Sequence, residues 1–94
     1  MRILQTRLFT NSSKRLHVNQ KMAMDKAVRH IASNPDVGEP KVADLAGVRV
    51  HKFRMVGKMV LLAYEWREVE DTIILLAIGP HENFYRDIKK TFDS

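Results

Sequence analysis

Two strand-length apolar runs in the second half of the chain limit what it can fold into. KMVLLAYEW (58–66) is almost continuously apolar, and TIILLAIG (72–79) follows after the polar connection REVE. Runs of this length without polar alternation need cover on both faces, so each reads as a buried strand, KMVLLAYEW lying centrally in its sheet. Neither approaches the ~20 residues that a membrane helix requires. Gly57 marks a tight turn into the first run, and Gly79-Pro80 ends the second.

Other segments supply the rest of such a sheet and its cover. VRVHKFRM (48–55) reads as a further strand beginning after Gly47, and the loosely alternating RILQTRLF (2–9) as a first one. TNSS then offers N-cap side chains in Asn11, Ser12 and Ser13 for a helical stretch running to Ser33. A break near His17 to Gln20 makes this a hairpin as readily as one rod. Met24, Ala27, Val28 and Ile31 form one apolar stripe, with Lys21, Lys26 and Arg29 facing water. Asn34-Pro35 ends the helix, because the residue before proline avoids helical backbone. The irregular NPDVGEPKVADLAG (34–47) leads to the strands, and Phe84, Ile88 and Phe92 form the inward stripe of a last helix. The expected fold is α+β: an N-terminal strand and helical hairpin packed on a small, mostly antiparallel sheet, with a short C-terminal helix. With 94 residues the chain is expected to be one domain over 1–94.

The absence of cysteine excludes disulfides and thiolate metal sites. The apolar pieces near the N-terminus are too short for a signal peptide, so a cytoplasmic protein without membrane contact is expected. Charge is uneven. Residues 1–54 hold eleven Lys/Arg against four Asp/Glu and carry +7, whereas residues 55–94 hold five against seven and carry −2. A basic half points to a polyanionic partner, either nucleic acid or an acidic protein segment, although solubility alone also favours basic surfaces.

Within VRVHKFRM, alternate side chains project to opposite faces. Arg49, His51, Phe53 and Met55 share one, and Phe53 and Met55 belong in a core; Lys52 and Arg54 are left side by side on the other. Such a pair suits a phosphate backbone, each cation neutralising one charge, and a solvated strand face is the plainer alternative. His81 follows the Gly-Pro break at a strand end, where exposed functional side chains are common. Its imidazole can serve as a general acid or base, or His81 simply begins the last helix ahead of Glu82. Tyr85, off the Phe84/Ile88/Phe92 stripe, suits stacking on a base or half-buried packing. Trp66 reads as packing at the sheet rim. His17, His30, His51 and His81 have no ligand spacing, and phosphate-loop and nucleophile-elbow motifs are absent, so neither metal nor cofactor is expected.

DLAGVRVHKFRM, GKMVLLAYEW and TIILLAIGPHENFYRDIKK, with the helical lead-in and NPDVGEPKV, resemble the RelE/ParE superfamily of toxins from bacterial toxin–antitoxin pairs, over about residues 12–90. The resemblance implies a small toxin held inactive by a cognate antitoxin wrapped over it. RelE-type members cut mRNA in the ribosomal A site without a metal. The 2′-hydroxyl attacks the neighbouring phosphate, helped by basic side chains and a tyrosine or histidine. Carried over, the paired lysines of RelE fall on Lys52 and Arg54, its C-terminal tyrosine on Tyr85, and a YafQ-like catalytic histidine on His81. A ribosome-dependent mRNA endonuclease that inhibits translation is therefore expected, with these four residues catalytic and Arg49, Lys58, Arg86 and Lys89 binding RNA. Its partners would be the antitoxin, the ribosome and mRNA.

Two RelE arginines are missing. Leu61, three residues before Tyr64, replaces one and His81 the other; Lys58 or Arg49 is the expected substitute for the first. ParE-type members poison DNA gyrase and need no nuclease residues. A gyrase inhibitor and a non-catalytic toxin-like binding module therefore stand as alternatives, and fold does not decide among them.

Overall fold

The two apolar runs occupy the middle of a five-stranded sheet. In the computed structural model the residues described are 1–93, and side chains are described for 1–90. The elements are β1 (Arg2–Gln5), α1 (Arg7–Lys14), α2 (Val18–Ser33), β2 (Glu39–Pro40), β3 (Val48–Met55), β4 (Lys58–Arg67), β5 (Thr72–Gly79) and α3 (Phe84–Asp93), with a 3₁₀ turn at Ala43–Leu45. The strand order is β1-β5-β4-β3-β2. All neighbouring pairs are antiparallel except β1 and β5. The expected α+β architecture is what the chain adopts, with β4 at the centre.

The amino end differs from its reading. β1 stops at Gln5, and Thr6 caps α1: its hydroxyl accepts from the Phe9 amide at 3.1 Å and donates to the Leu76 carbonyl at 2.7 Å. Asn11, Ser12 and Ser13, read as cap residues, lie inside α1 instead. Leu8 and Phe9 continue the alternation of Ile3 only by coincidence. As helical neighbours they reach opposite faces of the sheet, Phe9 into one core and Leu8 against the other. The break near His17 is real, since His17 precedes α2 and its amide donates to Gln20 Oε1 at 2.7 Å. Asn34 ends α2 as expected.

Each face of the sheet has its own core. Phe9, Ile31, Met55, Leu62, Tyr64 and Ile73 join the α1–α2 hairpin to one face. Val48, Val50, Leu61, Ala63 and Ala77 meet Phe84 and Ile88 of α3 on the other. Phe92, expected to continue that stripe, lies outside the described side chains. Two-sided burial accounts for the unbroken apolar character of β4, where Leu61 through Tyr64 are all essentially inaccessible. A β-bulge resets the phase of β5: Ala63 pairs with Ala77 but Tyr64 with Leu75, so Leu76 is the extra residue. Both Leu76 and Ala77 thus face α3, while Leu75 and Ile78 face the hairpin.

The turn from β3 to β4 is Val56-Gly57, with φ of 51° and 81°. Two left-handed residues give the mirror-image turn that matches strand twist, and Gly57 takes it freely whereas β-branched Val56 is strained there.

Candidate functional site

Among the described side chains, those of α3 cover only part of its sheet face. Phe84 and Ile88 lie over the rows that contain Val48, Val50, Ala63 and Ala77, and the same core takes in Leu61. The next row is Lys52–Leu61–Gly79, and the last is Arg54–Met59. Since strands lie ~4.8 Å apart, Lys52 and Gly79 are roughly 10 Å apart across Leu61. Alternation therefore brings Lys52 and Arg54 to the end of this face that the described side chains of α3 leave exposed, as expected. Leu61 between them and β5 is 1% exposed and offers no polar atom.

Gly79-Pro80 leads the chain off β5 onto the same end of the face. His81 is exposed in the turn that follows, rather than at the helix start. Its carbonyl accepts from the Phe84 amide at 3.2 Å, and Asn83 takes a left-handed φ of 63° before α3 begins at Phe84. The His81 and Tyr85 rings meet edge-on with centroids 5.8 Å apart. Tyr85 is half-buried against the α3-side core and stands edge-on to Phe84 at 5.3 Å. An imidazole and a phenol supported in this way can reach one substrate together.

The sequence reading missed a further cation, Lys41. β2 is only two residues long, but its continuation keeps Lys41 beside β3, with the Lys41 amide donating to the Val48 carbonyl. The Lys41 ammonium lies 5.4 Å from the centre of the Tyr85 ring and 3.0 Å from Glu39 Oε1. The Glu39 carboxylate raises the pKa of Lys41 above the ordinary lysine value, with Tyr85 adding to the effect against partial desolvation. The pKa of Glu39 is correspondingly lowered by Lys41, with a smaller contribution from Lys52. Glu39 is thus an anion paired with Lys41. Nothing in NPDVGEPKV marks Lys41 as more than a loop lysine; only strand pairing brings it under Tyr85.

Arg49 and Lys58, the expected substitutes for the missing arginine, stand on the opposite face. Arg49 shares its side with Tyr64, its cross-strand partner. Its guanidinium donates to the carbonyls of Gly38 (2.8 Å) and Asp36 (3.2 Å) and pairs with the Asp36 carboxylate at 3.4 Å. Tyr64, fully buried, donates to the Pro35 carbonyl at 2.6 Å and accepts from the Gly38 amide at 2.8 Å. Burial raises its pKa above the usual phenol value. A Cβ on Gly38 would come within 2.7 Å of that ring, so only glycine allows this approach. Lys58 lines a groove with Met55, Leu16 and Gln20 on the hairpin side. On α3, Lys89 sits 3.8 Å from Asp44, and Arg86 is exposed. Among the described residues no group of three or more His, Asp or Glu is placed to hold a metal, and no helix is long and apolar enough to cross a membrane.

Residues 3–89 match the family model described as ParE-like toxin of type II bacterial toxin-antitoxin system. No curated protein matches the chain by sequence. Among solved structures, the chain is similar to the intact RelBE toxin–antitoxin complex of E. coli, with TM-score 0.70 and 14% identity over 86% of this chain and 96% of that one. It is similar to the YoeB/ParE toxin of Agrobacterium tumefaciens, with TM-score 0.71 and 16% identity over 86% and 99%. It also resembles the RelBE2 toxin–antitoxin complex of Mycobacterium tuberculosis, with TM-score 0.73 and 18% identity over 85% and 96%. At such identities the likeness concerns the fold.

Proposed function

The chain belongs to the ParE-like toxins of type II bacterial toxin–antitoxin systems, and we propose that it inhibits translation by cutting mRNA on the ribosome. What supports this reading is the end of the α3 face to which strand alternation brings the exposed Lys52 and Arg54, and near which β5 releases the chain at Gly79 toward the His81–Tyr85 pair. Lys52 and Arg54 neutralise the phosphate at the cleaved link, and the charge developing on it is stabilised by cations already in place. His81 takes the 2′-hydroxyl proton or returns one to the leaving 5′-oxygen. Tyr85 stacks on or positions a neighbouring nucleotide, with Lys41 fixing the ring from below. Arg86 and Lys89 hold ribosomal RNA from the outer side of α3. Arg49 and Lys58 have no part in this surface. A cognate antitoxin, like the RelB in the complexes named above, silences the toxin with a segment complementary to the basic face.

The buried Leu61 favours a second reading, a gyrase inhibitor without nuclease activity, because it puts an aliphatic side chain and no charge on the central strand of this face. One experiment separates the two. Purified chain is added to programmed ribosomes, with primer extension to map mRNA ends, and in parallel to gyrase in a supercoiling assay. Cuts inside translated codons with normal supercoiling are expected; blocked supercoiling with intact mRNA would replace the endonuclease by the gyrase reading.

A further inference from the structure

β3 continues past its neighbour. β2 pairs only with Arg49 and Val50, so among the described residues the outer edge of β3 from His51 onward has no strand beside it. There α2 and the edge of β3 bound a groove of about 380 Å³. The small residues Ala23 and Ala27 of α2 line it. One wall is aromatic: His51 and Phe53 are stacked in parallel at 6.0 Å with an angle of 10°, and His30 reaches across from α2 to within 5.3 Å of His51. The rim is cationic, with Lys26 on α2 and Lys52 and Arg54 on β3, and among the described residues no carboxylate lines the groove.

We infer that this groove is a second binding site, for a single-stranded nucleic-acid segment that passes over the open edge of β3 from the Lys52/Arg54 face. Rings combined with cations are what a single strand requires: bases stack on the aromatic wall while phosphates meet the rim. An acidic peptide would use the cations but leave the rings idle. Partial burial and the nearby His30 lower the His51 pKa below the usual imidazole value, so His51 presents a neutral ring at neutral pH. The open edge matters as well, because Lys52 and Arg54 can then serve both sides of the strand with one continuous phosphate path. The site deepens the proposed function and rests on it for the identity of the strand as RNA. Binding itself requires neither ribosome nor cleavage.

The test uses purified full-length chain and a fluorescent single-stranded RNA octamer, followed by anisotropy without ribosomes. Lys26→Glu is expected to weaken binding about tenfold and to lower the salt slope by roughly 0.7 for the lost phosphate contact. His30→Ala, at an exposed ring, is expected to weaken it about fivefold through lost stacking. Lys21→Glu, on α2 but away from the groove, leaves binding unchanged, and a matched RNA duplex binds far more weakly than the single strand. Equal loss for Lys26→Glu and Lys21→Glu would mean diffuse attraction and overturn the site. So would unchanged binding in His30→Ala, duplex bound as well as single strand, or an acidic peptide that displaces the octamer equally from parent and His30→Ala chains. Octamer binding with these losses but no ribosomal cleavage would leave the groove standing and remove the endonuclease reading.

Discussion

Arg49 and Arg54 lie on one strand, five residues apart, and their guanidinium groups have opposite fates. Arg49 spends its donors on the carbonyls of Asp36 and Gly38 and its charge on Asp36, and the loop it holds also hangs from the buried Tyr64 hydroxyl. Arg54 makes one long contact of 3.3 Å to the Gly57 carbonyl and is otherwise presented to solvent with Lys52. The first half of β3 has cover on both sides and a strand neighbour; among the described residues the second half has neither α3 side chains above it nor β2 beside it. A donor already filled by backbone carbonyls is not available to a phosphate, so type of residue does not decide role here. Cover decides it.

Substitutions on the two halves should therefore separate activity from stability. The largest effect is expected for His81→Ala and Lys52→Ala: a loss of about 10²–10³-fold in the rate of ribosomal mRNA cleavage in single-turnover assays. Both side chains are exposed, so thermal unfolding should stay within ~0.5 kcal/mol of the parent. Normal cleavage by both variants would sink the assignment of this face.

Tyr64→Phe should do the reverse. It leaves the Gly38 amide and the Pro35 carbonyl without their buried partner and should cost about 1–3 kcal/mol of stability, read from urea unfolding, with the cleavage rate of the folded protein retained. Arg49→Ala should lower stability by about 1 kcal/mol, less because its groups are partly hydrated. If Arg49→Ala instead abolished cleavage while leaving stability intact, the division of β3 would be wrong.

The smallest effect concerns pH. His51 has a folded pKa below its ordinary 6.5, through desolvation first and His30 second. Above that value both folded and unfolded chains are neutral at this site and its contribution is full. As pH falls through it, the unfolded chain binds a proton that the folded one resists, so stability declines until the lower, folded pKa is passed. The melting temperature should drop less between pH 7.5 and 5.5 in His51→Gln than in the parent.

Much of this architecture was legible because long-range burial leaves a strong mark. The apolar runs of β4 and β5, the Asn34-Pro35 stop and the Gly57 turn each express a local rule that tertiary structure did not override. The same holds for Lys52 and Arg54, since alternation alone separates them from Phe53 and Met55. What escaped depends on partners distant in sequence. Thr6 looks like a strand residue until the Leu76 carbonyl is beside it, and the Asn11–Ser13 cluster satisfies every local cap preference yet lies within a helix. Arg49 and Lys58 looked free because the loop and groove that place them cannot be inferred from β3 or β4. Lys41 gained its setting from a two-residue strand too short to leave any pattern.

The extra residue Leu76 in β5 carries a consequence for how this family member can change. Side chains alternate, so every position after the irregularity has the parity opposite to that of a regular ladder. Gly79 faces α3, with its Cβ direction meeting Phe84 at 4.0 Å, because one residue upstream was counted twice on the same side. Deleting a single residue there would send Gly79 and the exit toward His81 to the hairpin side. Lys52 and Arg54 would stay where they are. The alignment of the two halves of the surface is thus a discrete property, like a reading frame: lengthening or shortening β5 by one switches it off, whereas two restores it.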